Sequence, residues 1–420
     1  MRTNRERAYV ISDLHLGAGP DDALEDFVAD HYLCDFVDSM AATGTTLIIN
    51  GDFVDFAQIE PLDPLVLPSG LLWDEPTSVL KLESAMQGHP LCFAALARFL
   101  TAGGALRVVI GNHDLDFAWP QVQRRLRQAV GDERGAIDFV VGATNCFGVH
   151  IEHGYQFTPE NCPRDPNQFV LEHDGVERLE RVWGTDFLLR YFNDLERRHR
   201  FIDNVKPTAS VVWHGLRDGW LPRSEILRLA AFLKRAKVPF GAVAGAVLSA
   251  DDVNQILVDS FVDPEWRQLA IEAIAADPAA MEATFEALTV EERAVVISRH
   301  EVRIEQEDLV TSTDSTLGLF RHGSREARAA RARLRLPGVT HVVFGHTHRV
   351  VVDGLEGHHL NPGSWIPSLN LRSPHVAEKL RTGGLTLALL GDPNMFEVDL
   401  HAVAIAPGPV AAKVEVISCM

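Results

Sequence analysis

Short apolar runs that end abruptly in polar residues constrain the fold of this chain more than any other feature. Three candidate strands alternate with three candidate helices, in the order 8–12, 24–40, 46–50, 91–100, 107–110 and 119–130. Two further strands are predicted at 139–141 and 147–152. This β-α-β-α-β order predicts an α/β sheet covered by helices, with a site at the carboxyl ends of its strands.

The pattern changes between about residues 158 and 318, where the apolar spacing becomes mostly helical. The helix candidates in this stretch are 176–200, 222–237, 265–275 and 290–300. The sheet pattern resumes after an Arg-rich helix at 326–334, with strands predicted at 341–344, 350–353, 385–390 and 396–401. We therefore expect one core, formed by residues 1–157 and 319–420, that is interrupted by a large helical cap insertion at 158–318.

The composition narrows the classes of partner and the compartment. A formal net charge of −19 repels nucleic acid over long range, which disfavours polynucleotide partners. The five cysteines are odd in number and include no Cys-x-x-Cys spacing, which favours free thiols in a reducing cytosol. The amino-terminal residues are charged and lack an apolar signal-peptide segment, so we expect a cytoplasmic protein.

Five polar clusters stand where strands are expected to end: Asp13-Leu14-His15, Gly51-Asp52, Gly111-Asn112-His113-Asp114, His153-Gly154 and Gly345-His346-Thr347-His348. Each has an ordinary structural explanation when taken alone, such as a strand-end turn, a Gly-Asn turn or an exposed histidine pair. Together they supply Asp, Asn and His side chains without sulfur, which suits two hard or borderline divalent cations. A site with two such cations is suited to in-line displacement at phosphorus.

In this order the clusters resemble the motifs of the calcineurin-like metallophosphoesterase superfamily. That pattern is Asp-x-His, Gly-Asp-x-x-Asp, Gly-Asn-His-Asp/Glu, His and Gly-His-x-His, and Gly51 to Asp55 match the second motif in full. The resemblance covers roughly residues 8–156 and 338–402. It implies a four-layer αββα sandwich and two divalent metal ions, of which manganese, iron and zinc suit the ligands.

The resemblance also implies a ligand set for each ion. The first set is Asp13, His15 and His348, the second is Asn112, His153 and His346, and Asp52 bridges the two ions. A hydroxide between the ions would attack phosphorus.

The resemblance further implies that His113 contacts the phosphoryl oxygen or protonates the leaving oxygen as a general acid, without binding metal. Asp114 would orient His113 and stabilise its charge, and Asp55 would fix the ligand loop.

The opening Ser12 to Gly17 and the insertion resemble the branch that includes UDP-2,3-diacylglucosamine pyrophosphatase, although the insertion here is much larger. The expected substrate is a small phosphoester or pyrophosphate. The basic stretch Arg223 to Lys237 would allow peripheral contact with an anionic membrane. Alternatively, it forms an ordinary helix whose basic face is exposed to solvent. Asn361 to Trp365 would shape the pocket floor or form a structural Pro-Gly turn.

Two other functions stay open at this stage. A nuclease of the same superfamily would use the same ligands and would need a basic groove, for which the candidates are Arg325, Arg328, Arg331, Arg333 and Arg335. A non-catalytic interaction protein on the same fold is the other alternative, as in the retromer subunit that resembles a metallophosphoesterase.

Overall fold

A computed structural model describes residues 7–63, 66–158, 161–200, 204–206, 322–370, 396–408 and 411–420. The chain divides into two compact units. The first unit comprises Met1–Arg197, Arg325–Pro367 and Val398–Met420, and the second comprises Arg198–Ser324 and Ser368–Glu397. All of the predicted site residues belong to the first unit.

The first sheet of this unit has six strands. In order across the sheet they are β15 (Lys413–Ser418), β14 (His401–Ala406), β1 (Arg7–Ile11), β2 (Thr45–Asn50), β3 (Ala105–Val109) and β4 (Ile137–Val140). The four strands from β1 to β4 are parallel, whereas β14 pairs antiparallel with β1 and β15 antiparallel with β14.

The second sheet has five strands. Their order is β11 (Val350–Gly354), β12 (His359–Pro362), β10 (His341–Val343), β6 (Val149–Glu152) and β5 (Ala143–Cys146). Strand β10 lies between β6 and β12 and is parallel to both. The carboxyl ends of β6 and β10 therefore lie side by side, although about two hundred residues of sequence separate them.

The two faces of the first sheet are buried against different partners. The helices α1 (Asp30–Met40), α2 (Glu75–Gly88), α3 (Pro90–Thr101) and α4 (Pro120–Ala129) share one hydrophobic cluster with Leu47 and Ile49 of β2. The intervening Ile48 belongs to a second cluster, which it shares with Ile151 and Val343 of the second sheet. This split follows from the alternation of side chains along a strand.

A further helix, α7 (His322–Arg333), packs Ala329 and Ala330 against Val342 and Phe344 of the second sheet. The described part of the chain is therefore mixed α/β, as the sequence predicts. None of the helices in this part is long and apolar enough to cross a bilayer.

The long helix predicted at 176–200 is not present. Instead β7 (Val170–His173) and β8 (Val176–Leu179) form a hairpin, which is followed by α5 (Trp183–Phe187), a π-helical segment at Leu188–Phe192 and α6 (Asn193–Glu196). The hairpin is held on the first unit because Leu72 N donates to Leu179 O at 2.8 Å. The second unit therefore begins at Arg198 rather than at 158, and it also takes in residues 368–397.

Within the second unit, β9 (Val205–Lys206) pairs in parallel with β13 (Leu369–Asn370). The helices predicted at 222–237, 265–275 and 290–300, the basic stretch Arg223 to Lys237 and the strand predicted at 385–390 lie outside the described residues.

Several further elements of the first unit differ from the sequence prediction; among them, α1 starts at Asp30 rather than at 24, and β12 was not predicted. Helix α2 was not predicted, because its buried face carries Ser78 and Lys81 and so lacks a clear apolar period. Strand β5 was also not predicted. The strand expected at 396–401 starts only at His401, and β15 follows it. Helices α3 and α4 and strands β1, β2 and β3 lie within one to two residues of the predicted bounds.

Candidate metal centre

The first predicted ligand set, Asp13, His15 and His348, comes together at the ends of β1 and β10. One ligand atom from each of these residues lies within 4.8 Å of the others. His348 Nε2 is 3.1 Å from His15 Nε2 and 3.3 Å from Asp13 Oδ1. His15 and His348 are 333 positions apart in sequence and follow strands of different sheets, so the packing of the two sheets brings them together.

The two histidines of the second set, His153 and His346, come together around Asp52. The ligand atoms of Asp52, His153 and His346 also lie within 4.8 Å of one another. Asp52 Oδ2 is 3.1 Å from His153 Nε2 and 3.7 Å from His15 Nε2. One carboxylate oxygen thus lies between a histidine of each set, which is the position that a bridging ligand requires.

Two buried side-chain atoms of the second set that could bind a metal lack the hydrogen-bond partners that buried polar atoms normally have. Asn112 Oδ1 has no hydrogen-bond partner among the described residues. His153 Nε2, although 3.1 Å from Asp52 Oδ2, lacks the alignment of a hydrogen bond to any described residue. The residues fit divalent cations, because the donors are oxygen and nitrogen and a cation would satisfy both orphaned atoms.

The backbone at the ligands is held in an uncommon conformation. The φ angles of five ligands are positive: 55° at Asp13, 51° at His15, 51° at Asp52, 66° at His346 and 54° at His348. This left-handed region is disfavoured for residues with a Cβ, and its cost of about 1–3 kcal/mol per residue persists only where the surroundings impose it. Here the carboxylate of Asp13 contributes by accepting from His346 N at 3.0 Å.

The glycines that precede Asp52 and Asn112 are required for close packing. A Cβ on Gly51 would overlap the imidazole of His153, and a Cβ on Gly111 would overlap the carboxylate and backbone nitrogen of Asp52. The two turns therefore approach each other more closely than any larger residue allows.

Asp55 links His113 to the first ligand set. His113 Nδ1 lies 2.7 Å from Asp55 Oδ2, and His15 Nδ1 lies 2.9 Å from the same oxygen. The Asp55 side chain is 2% exposed, whereas that of His113 is 19% exposed. Because the carboxylate accepts a hydrogen bond from Nδ1 of each ring, it turns Nε2 of each ring towards the site.

Asp114 does not orient His113 as expected, although its charge does help to raise the pKa of that ring. Its carboxylate accepts from Phe53 N at 2.7 Å and from Gly111 N at 2.6 Å, and its side chain makes no hydrogen bond to His113. Asp114 instead holds together the turns that carry Asp52 and Asn112. The sequence did contain a signal for the true partner, since Asp55 is the last residue of the Gly-Asp-x-x-Asp motif.

The carboxylates dominate the electrostatics around His113 and His153, whereas burial and then the charge of His153 lower the pKa of His346 to about 3. Burial lowers the pKa of His113, but the charges of Asp55 and Asp52 outweigh it and raise that pKa to about 10. Burial likewise lowers the pKa of His153, but the charges of Asp52 and Asp13 outweigh it and raise that pKa to about 9. The site therefore attracts positive charge, either as protons or as metal cations.

The last ligand loop is anchored by a buried polar network. Glu326 Oε1 of α7 accepts from His359 Nε2 at 3.1 Å and from Asn361 Nδ2 at 3.0 Å, and its Oε2 accepts from Thr347 Oγ1 at 3.2 Å. Asn361 Nδ2 also contacts Gly345 O at 3.0 Å. Asn361 thus holds the loop that carries His346 and His348 rather than lining the floor of a pocket.

Another group with metal-ligating atoms, Asp30, His89 and Cys92, lies outside this site. Both ring nitrogens of His89 are engaged there, with Asp30 Oδ1 at 3.1 Å and Glu25 Oε2 at 2.9 Å. This cluster ties α1 and the loop before it to the start of α3 and has a structural role.

Comparison with protein-family models finds no match, and comparison with curated proteins finds no significant similarity.

Proposed function

We propose that this protein is a two-metal-dependent hydrolase of phosphoester or pyrophosphate bonds, of the calcineurin-like metallophosphoesterase type. The position of Asp52 Oδ2 between His15 Nε2 and His153 Nε2, at 3.7 and 3.1 Å, is the observation that carries the proposal. The packing of α1–α4, the two sheets and α7 supports the four-layer αββα sandwich of that superfamily.

The residues divide into two ligand sets and a proton donor. Asp13, His15 and His348 would hold one cation, Asn112, His153 and His346 the other, and Asp52 both; manganese, iron and zinc suit these donors. When bound, two such cations activate water and neutralise charge on the phosphoryl group.

His113 acts on the substrate from beside the ligands. Asp55 occupies its Nδ1, so Nε2 is the ring atom that contacts a phosphoryl oxygen or protonates the leaving oxygen. This arrangement supports His113 as the general acid and Asp55 as the carboxylate that holds its ring.

A metal-reconstituted activity screen tests the proposal. The full chain is stripped of metal, loaded with Mn²⁺, Fe²⁺ or Zn²⁺, and assayed on p-nitrophenyl phosphate, bis-p-nitrophenyl phosphate, a nucleotide-sugar pyrophosphate and single-stranded DNA. We expect two bound metals per chain and hydrolysis of at least one small substrate. Two bound metals without hydrolysis of any substrate would point to the non-catalytic alternative.

One of the five arginines proposed for a nuclease groove is engaged within the fold, whereas Arg328, Arg331 and Arg335 are exposed. Arg333 Nε donates to Glu152 Oε2 at 2.7 Å, and its guanidinium lies over the Phe157 ring. This arginine is thus occupied within the fold. Hydrolysis of the DNA alone in the screen would nevertheless favour a nuclease. Peripheral membrane contact and a cytoplasmic location remain predictions from the sequence.

A further inference from the structure

The ring of His346 is contacted by two residues from the segment that follows His153. Its Nε2 lies 2.9 Å from Thr158 Oγ1 and 3.5 Å from Asn161 Nδ2. Thr158 is buried and belongs to the first unit, although the sequence assigns it to the start of the cap insertion. Since His346 and Thr158 are 188 positions apart, only the fold reveals this contact.

The hydrogen bonds of Thr158 define which way its hydroxyl points. Thr158 Oγ1 donates to the backbone carbonyl of Tyr155 at 2.8 Å. A carbonyl can only accept, and a hydroxyl has a single hydrogen, so this bond uses the one proton that Thr158 Oγ1 carries. Towards His346 the oxygen then acts as an acceptor, and His346 Nε2 carries the N–H that donates to it at 2.9 Å. Asn161 Nδ2 is itself a donor, and its contact with Nε2 at 3.5 Å is the weaker of the two because it lies at the limit of hydrogen-bond distance.

A ligating imidazole is neutral and has one N–H and one lone pair. With the proton on Nε2, the lone pair of His346 is on Nδ1. The other histidine of the second set is held in the opposite sense, since His153 Nδ1 lies 2.7 Å from Asn50 O and its Nε2 faces Asp52. His15 is held like His153, with Asp55 on its Nδ1.

We propose that Thr158 is a positioning residue that accepts a hydrogen bond from Nε2 of His346 and thereby presents Nδ1 of that ring as a ligand of the second metal. The inference rests on the proposed function, because it assumes that His346 binds a cation. Thr158 is well placed for this role, since its backbone nitrogen also donates to Tyr155 O at 3.0 Å, in the turn that follows His153. The residue therefore links the turn that follows His153 to the ring of His346, both of which belong to the second set.

The test is a calorimetric titration of the metal-free full chain with Mn²⁺. Thr158→Val keeps the size and branching of the side chain but removes the acceptor, and Thr158→Ser restores it. Thr340→Val is the matched control, because Thr340 Oγ1 also lies between a backbone carbonyl, Gly148 O at 3.3 Å, and a ring nitrogen, His341 Nδ1 at 3.0 Å, but away from the ligands.

We expect two binding events in the wild type and in Thr340→Val. In Thr158→Val the affinity of one event should fall about 10–100-fold, as loss of an outer hydrogen bond to a ligating histidine does, while the other event is preserved. Thr158→Ser should restore the weakened event. Thermal unfolding of each metal-free variant checks that it is folded.

Two contrary results have different meanings. If the wild type binds two Mn²⁺ ions and Thr158→Val binds them equally well, or if both events weaken together, the positioning role is refuted and the proposed function stands. If the wild type binds no Mn²⁺, Zn²⁺ or Fe²⁺, the metal centre itself is refuted and the role of Thr158 falls with it.

Discussion

Replacement of Asp55 by Asn separates the role of this carboxylate from that of Asp114. Asp55 Oδ2 accepts hydrogen bonds from His113 Nδ1 at 2.7 Å and from His15 Nδ1 at 2.9 Å. One oxygen therefore holds both the proposed proton donor and a candidate metal ligand. A hydrogen bond to a charged group contributes about 1.5–3 kcal/mol, and one between neutral groups about 0.5–1.5 kcal/mol. The substitution therefore removes about 1–3 kcal/mol from the support of the two rings.

Since about 1.4 kcal/mol corresponds to a factor of ten in rate, we expect kcat to fall about 10–100-fold in Asp55→Asn. The assay measures kcat at saturating metal on the best substrate of the screen, so that weaker binding of the first metal through His15 does not contribute. A separate Mn²⁺ titration should reveal that weaker binding, by about 10–100-fold.

Asp114→Asn is the informative contrast. Asp114 accepts from two backbone nitrogens, and an amide can accept only through its single oxygen. We expect a loss of about 1–3 kcal/mol in the free energy of unfolding, because a buried donor loses its acceptor, and a smaller fall in kcat of the folded enzyme than in Asp55→Asn. Asp116→Asn controls for burial, since Asp116 is a buried carboxylate that accepts from Trp73 Nε1 and Ser78 Oγ.

The reasoning is refuted if Asp55→Asn retains the wild-type kcat, or if Asp114→Asn lowers kcat more than Asp55→Asn does. A fall of equal size in Asp116→Asn would mean that loss of buried charge, rather than the contact with His113, lowers the rate.

Three further predictions follow from the same contacts. His113→Ala should lower kcat about 10²–10⁴-fold while elemental analysis still finds both metals; loss of either metal would make His113 a ligand. Burial lowers the pKa of His89, but the hydrogen bonds and charges of Asp30 and Glu25 raise it from 6.5 to about 9. The protonated ring therefore stabilises the folded state by about 3 kcal/mol, fully below pH 6.5 and progressively less as the pH rises through 9. Unfolding by denaturant should show this decline between pH 6.5 and 9 in the wild type, and His89→Gln should lack it if the assignment is right. Gly111→Ala should displace Asp52 and reduce the metal content of both sets; an alanine variant with full metal content would contradict the proposed close packing.

The sequence was sufficient to predict which candidate ligands come together, because each of them lies within a few residues of the end of a strand. In parallel strands the carboxyl ends meet at one edge, so the order of strands and clusters already brings Asp13, Asp52 and Asn112 together. Residue type adds the chemistry, since Asp, Asn and His without Cys suit divalent cations bound through oxygen and nitrogen.

The sequence prediction failed where the spacing of apolar residues does not indicate which side chains are buried. Helix α2 buries Ser78 and Lys81, and Lys81 Nζ is satisfied by backbone carbonyls, including Phe56 O at 3.1 Å, and by the face of Trp73. A polar residue that is paired inside the core looks exposed in the sequence. The hairpin of β7 and β8 was missed for the opposite reason, because its apolar residues are compatible with helical spacing as well.

The identity of the seven candidate ligands, their order and the reaction class to which they point follow from the sequence alone, because local position and residue type determine them. The partners of those ligands were decided only by the tertiary structure. Asp114 adjoins His113 in the sequence and was expected to hold its ring, but Asp55, 58 positions away, makes the hydrogen bond, because the direction of each side chain depends on the turn that carries it. The contact of Thr158 with His346 and that of Glu326 with Asn361 join segments 188 and 35 positions apart. Such contacts exist only once β6, β10 and β12 have paired in one sheet and α7 has packed against it.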